Sequence, residues 1–321
     1  MVLEISISPL VFNILIILAS LVLLVKASDM ALLGVTEYAR KLGLSDYLIG
    51  LIIISLGASM PELVSAIMGV FADDPGVILG TILGSNITGI TLVMGASAIF
   101  AKKLKLDPHV LEKTEIMTLI MVALPFLLLL NGVLSRIDGG ILVAAYLIYI
   151  VMIWIKEGQA GTMKKDVKLE KIYIDGIVFV LALAALLLSA RWLVFSSIEI
   201  STRLGISSYL VALIVIGIGT SLPDAVVAIR SIMKGHKGVG MGNALGSIVV
   251  KSTLFLGIIS LISPIKASFM TIMLAELFLL SALGYILVLT VGKEMNWKHG
   301  IVLVSMYAVF ITLSIITGGG S

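Results

Sequence analysis

Apolar runs near the length of a membrane-spanning helix, roughly 20 residues, recur along the whole chain. Ten are read, over 8–26, 46–72, 76–101, 113–131, 139–155, 174–197, 207–233, 239–265, 268–291 and 299–317. Sixty per cent of the 321 residues are hydrophobic and only 13% are charged, against roughly 25% charged in a soluble domain. Such a chain cannot cover a water-facing surface of ordinary polarity. A soluble enzyme and a disordered chain are both excluded, and a polytopic, all-α membrane protein remains. The absence of cysteine removes disulfides, thiolate metal sites and a cysteine nucleophile from consideration. No glycine-rich phosphate loop precedes a soluble βα unit, so no nucleotide-driven pump is visible and no cofactor is expected. The expected partners are the lipid bilayer and inorganic cations. Nothing points to nucleic acid or to a protein partner.

The basic residues are distributed unevenly over the alternating loops. Of the 22 Lys and Arg, seventeen fall on one side, including Lys102, Lys103, Lys105, Lys164, Lys165 and Lys168. Four fall on the other side, Arg136, Arg191, Arg203 and Lys266, and Lys251 lies inside a span. By the positive-inside rule the richer side is cytoplasmic, which places both termini outside. The first run has Glu4 before it and Lys26 after it. It lacks the basic start of a cleaved signal peptide and reads as a retained anchor in the cell membrane.

The chain also repeats itself. At an offset of 162 residues, LGLSDYLIGLIIISLGASMPELVSAI at 42–67 aligns without a gap with LGISSYLVALIVIGIGTSLPDAVVAI at 204–229. Further on, Gly76, Gly80, Gly84, Ser85 and Thr91 meet Gly238, Gly242, Gly246, Ser247 and Thr253. Each copy holds five spans, an odd number, so the second copy enters the membrane from the opposite side. The expected organisation is an inverted repeat, with copies over 1–155 and 174–321 and a cytoplasmic linker over 156–173. Inverted repeats of this kind typify secondary transporters, whose sites lie near the midplane at interrupted helices.

The second span of each copy carries one polar cluster, Gly57-Ala58-Ser59-Met60-Pro61-Glu62 and Gly219-Thr220-Ser221-Leu222-Pro223-Asp224. Proline lacks its amide hydrogen and displaces a carbonyl of the preceding turn. Carbonyls freed in this way can face a cavity and coordinate a cation. Two carboxylates, hydroxyls and carbonyls form a hard oxygen set suited to Ca²⁺ or Na⁺. His109, His236 and His299 all lie near span ends or in loops. Packing alone can explain proline kinks and one buried acid. It explains poorly two acids at equivalent positions, because an intramembrane charge costs about 2.5–3.5 kcal/mol even on the lenient scale. Candidate cation ligands are therefore Glu62 and Asp224, with Ser59, Thr220, Ser221 and the Ala58 carbonyl.

The next span of each copy adds Ser85 and Ser247. Its glycines otherwise read as points of close helix approach. Asn86 and Asn243 face Ile248 and Thr81 in the alignment, so neither amide is repeated. Glu276 and Glu115 align with Thr114 and Leu277. They read as packing or interfacial acids, Glu276 also as a partner for Lys251.

The segments GASMPELVSA…GTILGSNITGITLVMG and GTSLPDAVVA…GNALGSIVVKSTLFLG resemble the two alpha-repeats of the cation/Ca²⁺ antiporter superfamily. The likeness covers about 50 residues of each half closely, by count of the aligned segments, and the remaining spans by topology. It is nearer to the sodium/calcium exchangers than to the proton/calcium exchangers, whose GNxxE motif is absent from the first repeat. The resemblance implies alternating-access exchange of cytoplasmic Ca²⁺ for an inward-moving monovalent cation. It gives Glu62 and Asp224 the place of the central carboxylates. Ser59, Thr220, Ser221, Ser85 and Ser247 take the place of hydroxyl or carbonyl ligands.

One departure stands out. Four residues after Ser85 and Ser247, where those exchangers have Asn in one repeat and Asp in the other, this chain has Gly89 and Lys251. Three readings of Lys251 are open. Its ammonium occupies a cation subsite permanently and lowers the stoichiometry; it titrates and couples transport to H⁺; or it forms an internal ion pair with Asp224, Glu62 or Glu276 in a transporter that has lost or changed its substrate. The expected function is antiport of Ca²⁺ against Na⁺. H⁺-coupled exchange through Lys251 or the carboxylates is the alternative, and a passive cation channel or uniporter a further one.

Overall fold

The computed structural model describes residues 8–41, 54–101, 103–105, 115–157, 172–233, 237–291 and 294–318. Apolar runs in lipid must satisfy every backbone donor and acceptor internally, which favours helix throughout. Among the described residues, seven helices are long and apolar enough to cross a membrane: Pro9–Ala27, Pro75–Ala101, Arg136–Ile155, Val180–Leu204, Gly242–Ile262, Ile272–Leu289 and Trp297–Thr317. Three shorter apolar helices, Met60–Phe71, Ile116–Asn131 and Ser208–Thr220, fall in the remaining expected spans. The first helix runs from Pro9 to Lys41, so Lys26 sits on its exposed side rather than in a loop. Of the expected linker, residues 158–171 lie outside the described part, as do His109 and His236.

The most buried helices are those richest in small residues. The Pro75–Ala101 span is 94% buried and the Gly242–Ile262 span 78%, against 22% for Pro9–Ala27 and for Trp297–Thr317. The former pair therefore forms the centre and the latter pair lines the lipid face. Glycine permits the central approach. A Cβ on Gly80 would lie 2.5 Å from the Tyr209 carbonyl oxygen, one on Gly84 would collide with that of Leu213, and one on Gly217 would lie 2.7 Å from the Gly84 carbonyl carbon. Backbone thus packs on backbone where Pro75–Thr88 crosses 208–220. Asp74 starts the former helix by accepting from Val77 N at 3.1 Å, with proline in its first turn. The same carboxylate oxygen accepts from Ser208 Oγ at 2.8 Å and ties the two segments together.

Two short antiparallel pairs bind the halves at the rim. Strand β1 (Lys103–Lys105) pairs with β4 (Glu294–Asn296), and β2 (Val133–Leu134) pairs with β3 (Ile265–Lys266). Shifting each strand by 162 residues turns one pair into the other: Lys103 opposite Asn296 becomes Ile265 opposite Leu134. The helices repeat in the same way. Ser55–Ala58 and Met60–Phe71 correspond residue for residue to Gly217–Thr220 and Leu222–Met233.

Candidate cation site

Each polar cluster interrupts its helix where the sequence places proline. Ser59 breaks the first at φ −90°, ψ 5°, and Ser221 breaks the second at φ −77°, ψ −4°. Pro61 brings no amide to the ladder, and the Ser59 amide instead bonds back to the Gly57 and Ser55 carbonyls. The acid follows in the first turn of the next helix, Glu62 in Met60–Phe71 and Asp224 in Leu222–Met233. The helices crossing these breaks widen into π turns at Gly89–Val93 and Val250–Phe255. Such turns are frequent at functional positions.

The two acids converge. Lys251 Nζ lies 3.2 Å from Asp224 Oδ2 and 3.5 Å from Glu62 Oε1, and Lys251 is fully buried. The two carboxylates are therefore close enough to share one cation, and the cation between them is the chain's own. Glu276, the other partner considered for Lys251, is elsewhere. It is buried with Oε1 unpartnered and lines a small, mostly apolar cavity with Pro125, Phe126, Ile272 and Ser252.

Around this pair the halves differ. Asn243, Ser247 and Lys251 recur every four residues and so share one helix face. All three reach Asp224. Asn243 Nδ2 donates to its carbonyl at 3.5 Å, Ser247 Oγ to Oδ1 at 3.2 Å and Lys251 Nζ to Oδ2 at 3.2 Å. The corresponding face of the first copy carries Thr81, Ser85 and Gly89. There Thr81 Oγ1 has no partner, Ser85 Oγ bonds the Ile82 carbonyl at 3.1 Å and Gly89 has no side chain to offer. Neither Glu62 oxygen accepts a hydrogen bond. Asp224 is anchored, and Glu62 is held by the 3.5 Å ion pair.

The remaining candidates line the same buried region in different states. Thr220 Oγ1 bonds the Ile216 carbonyl at 2.9 Å; Ser221 Oγ bonds the Gly217 and Ser85 carbonyls at 2.7 and 3.3 Å. Ser59 Oγ is buried without a partner, and Ala58 is fully buried. Asn86 Nδ2 donates to Ser252 Oγ at 2.9 Å while its Oδ1 stays unpartnered. Ser252 was not singled out from the sequence. Its only signal is its place beside Lys251. His299 does not approach the site: its Nδ1 accepts from Asn296 N at 3.2 Å at a helix start. Glu115 opens the helix Glu115–Leu128.

The sodium/calcium exchanger protein family model matches residues 12–155 and again 175–316. The chain belongs to the sodium/calcium exchanger family. It is a multi-pass membrane protein of a transporter family, not an enzyme family. Sodium/calcium exchanger MaX1 of Methanosarcina acetivorans is 26% identical, aligned over 94% of this chain and 98% of its own length. Inner membrane protein YrbG of Escherichia coli is 27% identical over 77% of this chain and 79% of its own. Among solved structures, the sodium-calcium exchanger NCX_Mj superposes with a TM-score of 0.71 at 25% identity, covering 94% of this chain and 99% of that one.

Proposed function

We propose that this exchanger-family protein is a secondary active antiporter that moves Ca²⁺ against Na⁺ by alternating access. Its cation site is built on Glu62 and Asp224, with Ser59, Thr220, Ser221, Ser85, Ser247 and the Ala58 carbonyl around them. The observation that carries this reading is the convergence of two buried acids, from two interrupted helices, within 3.5 Å of a single cationic nitrogen. The name of MaX1 and the likeness to NCX_Mj support Na⁺ and Ca²⁺ as the exchanged ions.

The architecture proposed with it is ten transmembrane helices in two inverted five-helix repeats, 1–155 and 174–321, joined by a cytoplasmic linker over 156–173, with both termini outside the cell membrane. The two exchanged strand pairs, the matched helix breaks and the double family match support this arrangement. A repeat of this kind gives alternating access a simple basis. If each copy adopts the other's conformation, an outward-open site becomes an inward-open one.

One observation favours H⁺ as a second coupling ion. A Ca²⁺ that binds both acids must meet the Lys251 ammonium already between them, and release of that group's proton would remove the conflict. The test is ⁴⁵Ca²⁺ uptake into proteoliposomes at clamped membrane potential, with an outward Na⁺ gradient compared against an outward H⁺ gradient. Uptake driven by Na⁺ supports the proposal, and uptake driven only by H⁺ replaces it with the second reading. Uptake that needs no counter-gradient is the behaviour of a channel. Glu62→Gln and Asp224→Asn are each expected to abolish exchange, and near-normal flux in either would remove the site.

A further inference from the structure

Lys251 is 0% exposed and lies on one of the two most buried membrane-length helices among the described residues. A charged ammonium at such a depth must be balanced locally. Balance is supplied by the two groups assigned above to the transported cation. We propose that Lys251 is a tethered competitor for that cation, its ammonium standing in the cation's place when the site is empty and yielding it when an ion binds. This deepens the antiporter reading and rests on it.

Three features of the site fit this role. The first is the engagement of both Asp224 oxygens. Its two carboxylate oxygens already accept from Ser247 and Lys251, so an incoming ion gains full access to Oδ2 only as the ammonium withdraws. The second is the surplus on the other side. Glu62 Oε2 and Ser59 Oγ are buried oxygens without partners, donors left over after the ammonium has taken its share. The third is space. Gly89 holds the position in its copy that Lys251 holds in the other, it is buried, and a Cβ there would meet no heavy atom within 4 Å. Lysine carries its charge on a flexible four-carbon stem, so its ammonium can shift while it stays near the carboxylates that balance it.

Two consequences follow from charge alone. The empty site has two carboxylates and one ammonium, so it carries a single net negative charge. One monovalent cation then neutralises it for the return step, where two would be needed without the lysine. A divalent ion, which seeks six to eight oxygens, binds only by displacing the ammonium and so binds weakly. Lys251 thereby sets both the number of coupling ions and the affinity for Ca²⁺.

The experiment compares the full-length wild type with Lys251→Met and Lys251→Asn. Each is purified in choline buffer and titrated separately with NaCl and CaCl₂, with ⁴⁵Ca²⁺ binding and thermal unfolding as readouts. The wild type is also reconstituted to measure the Na⁺ dependence of flux. The variants are expected to bind Ca²⁺ at least about tenfold more tightly. They should be less stable than wild type without cations and recover with either ion. The wild type should show a Hill coefficient near one for Na⁺. Ca²⁺ affinity unchanged in the variants overturns the proposal, as does a wild-type Hill coefficient of two or more. If the variants fold only with Ca²⁺ present, that dependence supports it; if they fold under no condition, the wild-type coefficient decides. Loss of the antiporter reading looks different: the wild type then shows no coupled flux, while cation-dependent stability confined to the variants still separates a tethered cation from a structural lysine.

Discussion

The two acids of the site should not be equivalent in stability, although they are equivalent in sequence. Asp224→Asn keeps the shape and removes the charge. In the cation-free protein it weakens the 3.2 Å bond from Lys251 and the 3.2 Å bond from Ser247. A hydrogen bond to a charged group contributes about 1.5–3 kcal/mol, and a neutral acceptor retains roughly half of that. The loss over two bonds is therefore about 1.5–3 kcal/mol. Lys251 is also left with Glu62 alone at 3.5 Å. Glu62→Gln breaks only that longer contact, because neither Glu62 oxygen accepts a hydrogen bond. The relief of desolvating a buried charge is common to both substitutions and cancels in the comparison, which leaves the two Asp224 hydrogen bonds to set the difference. The difference of roughly 2 kcal/mol corresponds to several degrees in Tm. Tryptophan fluorescence from Trp154, Trp192 and Trp297 can follow unfolding in detergent, in choline buffer free of Na⁺ and Ca²⁺. Destabilisation by Glu62→Gln equal to or larger than that by Asp224→Asn would refute the asymmetry argued from these contacts.

Five further outcomes are expected. Gly84→Ala should cost at least about 3 kcal/mol, the upper range for overpacking, because the new methyl meets the fixed Leu213 backbone. Gly89→Ala, with open space around its Cβ, should change stability by less than about 1 kcal/mol; relative melting temperatures and yields of the two variants check both. Asp74→Ala removes the bonds to Val77 N and Ser208 Oγ and should cost about 1–2 kcal/mol, whereas Asp74→Asn should recover part of it in the same unfolding assay. Glu276→Gln should leave Ca²⁺ affinity unchanged, since Glu276 takes no part in the Lys251 ion pairs; a shift beyond about threefold in ⁴⁵Ca²⁺ binding, over 0.6 kcal/mol, would place it in the site. Because the chain has no cysteine, single cysteines at Ser8 and Ser321 should react with an impermeant maleimide added outside intact cells, and labelling only after lysis would invert the orientation proposed.

The sequence reveals this site as far as side-chain identity and repetition can carry it. Proline and acid in equal places predict two breaks and two carboxylates, because the missing amide acts within one helical turn. Both breaks are found, at Ser59 and Ser221. The pairing of Lys251 is only half legible. A four-residue spacing places Asn243, Ser247 and Lys251 on one face, but which acid that face meets depends on how two helices cross, a property of packing spread over many residues. Glu276, on a third helix, is an equally reasonable partner from sequence but takes no part in the Lys251 ion pairs and lines a small cavity with Ser252. The imbalance between the copies was also present in the alignment, as Gly89 opposite Lys251. Its meaning needed coordinates. Only the structure shows that the face with the lysine supports Asp224 at three points, while neither Glu62 oxygen accepts a hydrogen bond and a Cβ on Gly89 would meet open space. A duplicated scaffold thus holds one anchored acid and one loosely held acid. On the antiporter reading proposed above, the loosely held one is the group an entering ion would bind first, before it contends with the ammonium for the other.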